Sequence, residues 1–201
     1  MLKNTFNHIP GIGIITEQRF WDSGIYHWDD FTQNCPFRLS QSKKDNISSY
    51  IKESYQHLES GNPNYFSQLL QAAQHWRFFP EFRSSMVYLD IETTGLNRFH
   101  DTITTISLYD GESIYYYVNG QNLDDFMDDI GKYRVIVTYN GKTFDVPFIE
   151  KYFGIRLNHA HIDLRYILGS LGYRGGLKSC ETQLGIDRGD LKDINGFFAV
   201  Q

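Results

Sequence analysis

The stretch Met86-Val87-Tyr88-Leu89-Asp90-Ile91-Glu92, continued by Thr93-Thr94-Gly95-Leu96, decides how this chain is read. Side chains alternate across a β-strand, so Val87, Leu89 and Ile91 are predicted to bury one face while Asp90 and Glu92 share the other. Two neighbouring carboxylates repel each other unless one is protonated or a cation neutralises them, and hard oxygen ligands suit Mg²⁺ or Mn²⁺. The threonines and glycine that follow let a phosphate or sugar come close to the backbone. A bare D-x-E pair is also what the solvated end of an ordinary strand looks like. The apolar run before the pair and the Thr-Thr-Gly turn after it favour a site.

A second polar cluster, Tyr139-Asn140-Gly141-Lys142-Thr143-Phe144-Asp145, follows the apolar Val135-Ile136-Val137. It therefore falls at the carboxyl end of a buried strand and the start of a helix, the edge where open α/β sheets bind ligands. Asn-Gly also makes a plain turn, and Asp is favoured in a first helical turn by capping and by the helix dipole. A third cluster, His161-Ile162-Asp163-Leu164, offers either a catalytic pair or a packed histidine beside a capping residue. Lys142, Arg174 and Lys178 can neutralise phosphates or serve as surface charges.

Outward from these clusters, Met86 to Ile91, Thr102 to Tyr109 and Ser113 to Val118 read as three strands joined by Asn-, Asp- and Gly-rich turns. Asn122 to Ile130 reads as a helix, Arg134 to Tyr139 as a buried strand, Val146 to Phe153 as a helix closed by Gly154, and Ile162 to Leu168 as a short strand or helix. The predicted class is α/β: a mixed sheet of three antiparallel strands, then alternating strands and helices, with helices flanking it. Residues 1–84 form a prefix to this domain, which spans 85–201. In the prefix, residues 1–38 read as irregular structure pinned by rings. Ser40 to Gly61 repeats apolar residues at helical spacing, and a second helix runs from Asn62-Pro63 through Trp76 to Pro80.

Composition narrows the function. With 41% hydrophobic and 21% charged residues the chain is expected to be a soluble globular protein, and 14 Tyr, 15 Phe and 3 Trp place much of its buried area in rings. A net charge of -5 argues against non-specific attraction to polyanions, but not against a nuclease whose carboxylates hold cations. Cys35 and Cys180 stand far apart, without zinc or redox spacing. No leader-like start and no membrane-length apolar run is seen, so the expectation is a cytoplasmic protein with no membrane partner.

Asp90-Ile91-Glu92 and Phe144-Asp145 together resemble the first two motifs of the DEDD exonuclease superfamily. Leu89 through Gly95, Tyr139 through Asp145, His161 through Leu164 and Gly176-Leu177-Lys178 through Ile186 are spaced as in the YprB-type ribonuclease H-like family. The prefix, with Gly11-Ile12-Gly13, Glu17 and Trp21 to Trp28, is similar to the segment preceding the domain there. The resemblance implies a ribonuclease H-like fold and a 3′ to 5′ exonuclease acting on single-stranded 3′ ends of DNA or RNA. It implies two Mg²⁺ or Mn²⁺ ions held by Asp90, Glu92 and Asp145, with Asp163 as a further catalytic candidate. Leu96 and Phe144 are then placed at the terminal base or packed beneath the site, while Thr93, Thr94, Asn140 and Lys142 approach sugar and phosphate. The family's fourth carboxylate, an Asp in a late helix, has no matching segment up to Gln201. Asp187, Asp190 and Asp193 fall in a polar, loop-like stretch. The rival expectation is a catalytically impaired module of the same fold that binds nucleic acid or protein.

Overall fold

The structure is a computed structural model that describes residues 1–33 and 38–189, so Cys35, Asp190 and Asp193 lie outside the described residues. The chain divides into two compact units, Met1–Arg83 and Ser84–Gln201. Among the described residues no helix is long and apolar enough to cross a membrane.

The first unit is helical. Residues 1–38 are more regular than expected, since they contain α1 (Ile14–Asp22) and α2 (Trp28–Gln33). Short helices of this size are marginal alone and owe their form to packing. Here Phe6, Phe20, Trp28 and Phe66 are fully buried, and Phe6 meets Phe20 edge-on at 5.3 Å. The helix expected from Ser40 is α3 (Gln41–Glu59); the Ser40 hydroxyl accepts the Lys43 N–H, and Ile47 and Ile51 face the core. The single helix expected up to Pro80 is in fact broken. α4 (Pro63–Leu69) ends at an extended Leu70, a 3₁₀ turn spans Ala72–Phe78, and Pro80 starts rather than ends a helix, the short α5 (Phe79–Phe82).

The cause of the break is tertiary. Buried Arg77 donates to both oxygens of the fully buried Glu17, at 3.2 and 2.8 Å, and to the Gln74 amide oxygen at 2.7 Å. Glu17 Oε1 also accepts the N–H groups of Phe6 and Asn7. A buried ion pair is tolerated only when its remaining hydrogen-bonding capacity is used in this way. Reaching Glu17 fixes where Arg77 must stand.

The second unit is built on a sheet of order β3-β2-β1-β4-β5. β1 (Met86–Thr93), β2 (Ile103–Tyr109) and β3 (Ile114–Val118) are antiparallel neighbours, while β4 (Val135–Thr138) and β5 (Ala160–Asp163) run parallel to β1. The α/β mixed sheet read from sequence is the fold observed. One face buries Val87, Leu89, Ile91, Ile106, Leu108, Tyr117 and Ile136. Against it pack α6 (Phe126–Ile130), through Phe126 and Ile130, and α7 (Asp145–Phe153), through Phe148 and Ile149. The helix expected over 122–130 opens as a 3₁₀ turn, and the 162–168 segment is both things at once: β5 ends at Asp163, whose side chain caps α8 (Leu164–Ser170). A further helix, α9 (Leu177–Gln183), buries Cys180.

Candidate active site

β1 alternates as its sequence requires, with Leu89 and Ile91 buried and Asp90 and Glu92 on the opposite face. β1 is also the point where the sheet reverses direction of growth, toward β2 and β3 on one side and toward β4 and β5 on the other. In open sheets the crevice at such a point is where ligands bind. Pairing of β1 with β4 stops at Tyr88 and Val137, so the two strands part and the turn after β4, with the start of α7, occupies the opening. Near Glu92 the register with β2 shifts: Glu92 faces Thr105 but Thr93 faces Ile103, a bulge that re-aims the strand end.

Asp145, first residue of α7, is buried in this opening. Its carboxylate accepts the backbone N–H of Ile91, and the Asp90 carboxylate is bonded to the same amide. The two acids therefore flank one N–H. Burial, followed by the charge of Asp90, pushes Asp145 up to about 7, against the opposing pull of its backbone bonds. Asp90 itself still meets solvent, yet enough protein surrounds it that loss of water raises its pKa. Glu92 is raised as well, first by burial and then by Asp90. Asp90 thus couples to an acid on each side.

The donor set suits a divalent cation: hard oxygens whose mutual repulsion a positive charge would relieve. Among the described residues no three acidic, histidine or cysteine side chains are gathered at metal-ligating range.

Asp163 has a different setting. It is 1% exposed, and its oxygens accept the N–H groups of Asn140 (2.8 Å), Lys142 (3.0 Å) and Arg165 (3.0 Å). The anion holds the turn after β4 in shape, including Asn140, the only described non-glycine residue with positive φ, at 68°. Gly141 is needed beside it, because a Cβ there would lie 2.4 Å from the Thr138 hydroxyl, which accepts the Gly141 N–H. His161 bonds the same hydroxyl at 2.8 Å, so its ring supports the turn. The Asn140 side chain is held by Thr143 and by the guanidinium of Arg165. Lys142 directs its ammonium toward the Tyr166 ring, 5.9 Å away, and its pKa is lowered by burial, with Asp163 opposing.

The loop after β1 is also fixed. Asp101 accepts the Asn97 N–H at 2.8 Å and faces Gly95, where a Cβ would collide with it at 2.5 Å. Thr93 bonds the Gly95 carbonyl and Thr94 accepts the Thr102 N–H, so both hydroxyls shape the loop. This loop and the start of α7 enclose a cavity of about 400 Å³ lined by Leu96, Asn97, Arg98, Phe99, Thr143, Phe144 and Phe148. Leu96 is 86% exposed, whereas Phe144 is half-buried and packs on Phe148 and the core. Sequence reading missed Arg98, Phe99 and Arg165. The first two stand at a loop tip with no periodicity to mark them, and Arg165 is detectable only through its spacing from Asp163.

A family model described as RNase_H_2, of the RNase_H superfamily, matches residues 87–201. No curated protein matches the chain. Among solved structures, the chain is similar to the family B DNA polymerase from the hyperthermophilic archaeon Pyrobaculum calidifontis, at 17% identity and TM-score 0.44, over 57% of this chain and 20% of that one. It is also similar to NrnC of Brucella melitensis, at 18% identity and TM-score 0.41, over 59% of this chain and 61% of that one. The matched part thus spans a fifth of the polymerase and under two thirds of NrnC.

Proposed function

The chain belongs to the ribonuclease H superfamily, and from that premise we propose that residues 85–201 form a metal-dependent 3′ to 5′ exonuclease acting on single-stranded DNA or RNA, with residues 1–84 as an appended module. The observation that carries this reading is the pairing of Asp90 and Asp145 about the Ile91 N–H at the sheet's switch point. Asp90, Glu92 and Asp145 are the residues that would hold divalent ions. Bound there, Mg²⁺ or Mn²⁺ supplies water activation and neutralises charge developing on the phosphate and the departing oxygen.

The remaining work falls to the chain's own groups. Leu96 and Phe144 line the cavity and offer apolar contact to a terminal base. Thr93, Thr94 and Asn140 set the two loops that bound it, and Lys142 adds positive charge to the turn after β4. Asp163 is assigned here as a positioning residue, since its oxygens are engaged by three backbone amides. Without a cation, Asp145 with its pKa near 7 is partly protonated at neutral pH, which limits repulsion with Asp90.

The test is release of labelled mononucleotides from 3′-labelled and 5′-labelled single strands, DNA and RNA, with Mn²⁺ or Mg²⁺. We expect stepwise loss from the 3′ end, reduced at least a hundredfold by Asp145→Asn. Unchanged activity in that variant would place the chemistry elsewhere. Strand binding without release in either metal would leave a binding module.

A further inference from the structure

The sheet face that carries Asp90 and Glu92 continues over β2 and β3, where the described residues leave it exposed. Strand register lays three rows across it: Tyr88, Tyr109 and Ile114; Asp90, Ser107 and Tyr116; Glu92, Thr105 and Val118. Ile114 is 71% exposed and Tyr116 67%, with Tyr109 at 41% and Tyr88 at 38%. Tyr88 and Tyr109 set their rings 5.8 Å apart. The same face is closed farther along, since Val137, aligned with Tyr88, and Ile162, aligned with Val137, are both buried. The opening is confined to the half of the sheet beside the candidate site.

A partner strand is a poor occupant. The carboxyl end of the outer edge of β3 is already used by its own chain: the Asn122 amide donates to the Tyr116 carbonyl at 3.1 Å and accepts the Val118 N–H at 2.8 Å. The Val118 carbonyl accepts the N–H groups of Gln121 and Asn122. Pairing in the plane of the sheet is blocked there, which leaves the flat of the face. Its three rows hold phenols, hydroxyls and aliphatics, and no cation; the only charges are the two acids. Exposed rings in that setting suit ligands with flat, weakly polar surfaces, and nucleobases stack on aromatic side chains whatever their sequence. Strands lie about 4.8 Å apart, so Tyr116 stands roughly 10 Å from Asp90, about the length of three stacked nucleotides at ~3.4 Å each.

We propose that the open face of β1, β2 and β3, with Tyr88, Tyr109 and Tyr116, is a stacking platform for the nucleotides that precede the 3′-terminal one in a single-stranded nucleic acid. The proposal rests on the nuclease reading for the place of the terminal nucleotide, which lies at Asp90, Glu92 and Asp145. The stacking itself needs no hydrolysis.

Binding of a fluorescent dT 12-mer and of a dT dinucleotide to the whole chain, measured by anisotropy with Ca²⁺ in place of Mg²⁺ or Mn²⁺ so that the acids are neutralised, tests it. Tyr116→Ala, and more so Tyr109→Ala with Tyr116→Ala, should weaken 12-mer binding, by roughly tenfold for the single change. Dinucleotide binding should hold, and Tyr116→Phe should bind like wild type because it keeps the ring. The loss should be equal at 50 and 200 mM salt (roughly physiological bounds), since the ring removes no counterions. Melting curves check that the variants fold. The platform is overturned if all variants bind the 12-mer alike, if wild type does not bind it, or if Tyr116→Phe is as weak as Tyr116→Ala. It is equally overturned if Tyr116→Ala splits a dimer in sedimentation and leaves binding intact, which would make the face a contact between copies. Ring-dependent binding by a wild-type chain that releases no nucleotide with Mn²⁺ would sink the nuclease reading alone.

Discussion

Asp145 shows how burial beside a second acid sets the protonation of a carboxyl. Its carboxyl is pushed up to about 7, first by burial and then by Asp90, from an ordinary value of 3.8. The folded state therefore binds a proton that the unfolded state has released between those two values. The stabilisation this gives is complete below pH 3.8 and is lost as pH rises through 7. Asp145→Asn, neutral at every pH, should thus raise stability of the metal-free protein at pH 8 by on the order of 2 kcal/mol, and change it little at pH 4. Urea unfolding at the two pH values measures this, and an equal effect at both would show that charge is not the cause. Mn²⁺ should stabilise wild type at pH 8 and leave the variant nearly unmoved. The alternation that puts Asp90 and Glu92 together was legible because it is a property of adjacent residues. The shared Ile91 amide was not, because Asp145 comes from a distant part of the chain.

Among elements, β3 shows how an edge strand is kept from pairing. Its sequence, Ile-Tyr-Tyr-Tyr-Val, has strong strand propensity and no Lys or Pro to discourage partners. Asn122 supplies the protection by bonding Tyr116 and Val118 as a neighbouring strand would. Asn122→Ala should cost about 1 kcal/mol in chemical unfolding and promote concentration-dependent association in sedimentation. A variant that stays monomeric and fully stable would show that the edge is protected otherwise. From sequence Asn122 reads as the start of a helix, and the true helix starts only at Phe126. Likewise the break after α4 was not legible: the apolar spacing continues through Trp76, while the position of Arg77 is dictated by Glu17, sixty residues away.

For the molecule as a whole, the two units should answer pH in opposite senses. In the first unit His8 is buried against Trp28 and Phe66, and desolvation lowers its pKa from 6.5 to about 3. A lowered folded-state value gives stability that is present above pH 6.5 and is lost as pH falls toward 3. Acid should therefore weaken the first unit, followed through the emission of Trp21, Trp28 and Trp76, which all lie in it, by a few kcal/mol at most, over a range where Asp145 works in the second unit's favour. His8→Gln should flatten the acid dependence of the first unit only; a slope that survives would assign it to other groups. The sequence by itself determined the strands, the α/β class and the face on which Asp90 and Glu92 stand, because these follow from periods of two and 3.6 residues. Only the tertiary structure decided that β4 parts from β1 to admit Asp145, that Asp163 is consumed in holding a turn, and that tyrosines from three strands form one open face. Each depends on contacts between residues far apart in the chain, which local periodicity does not encode.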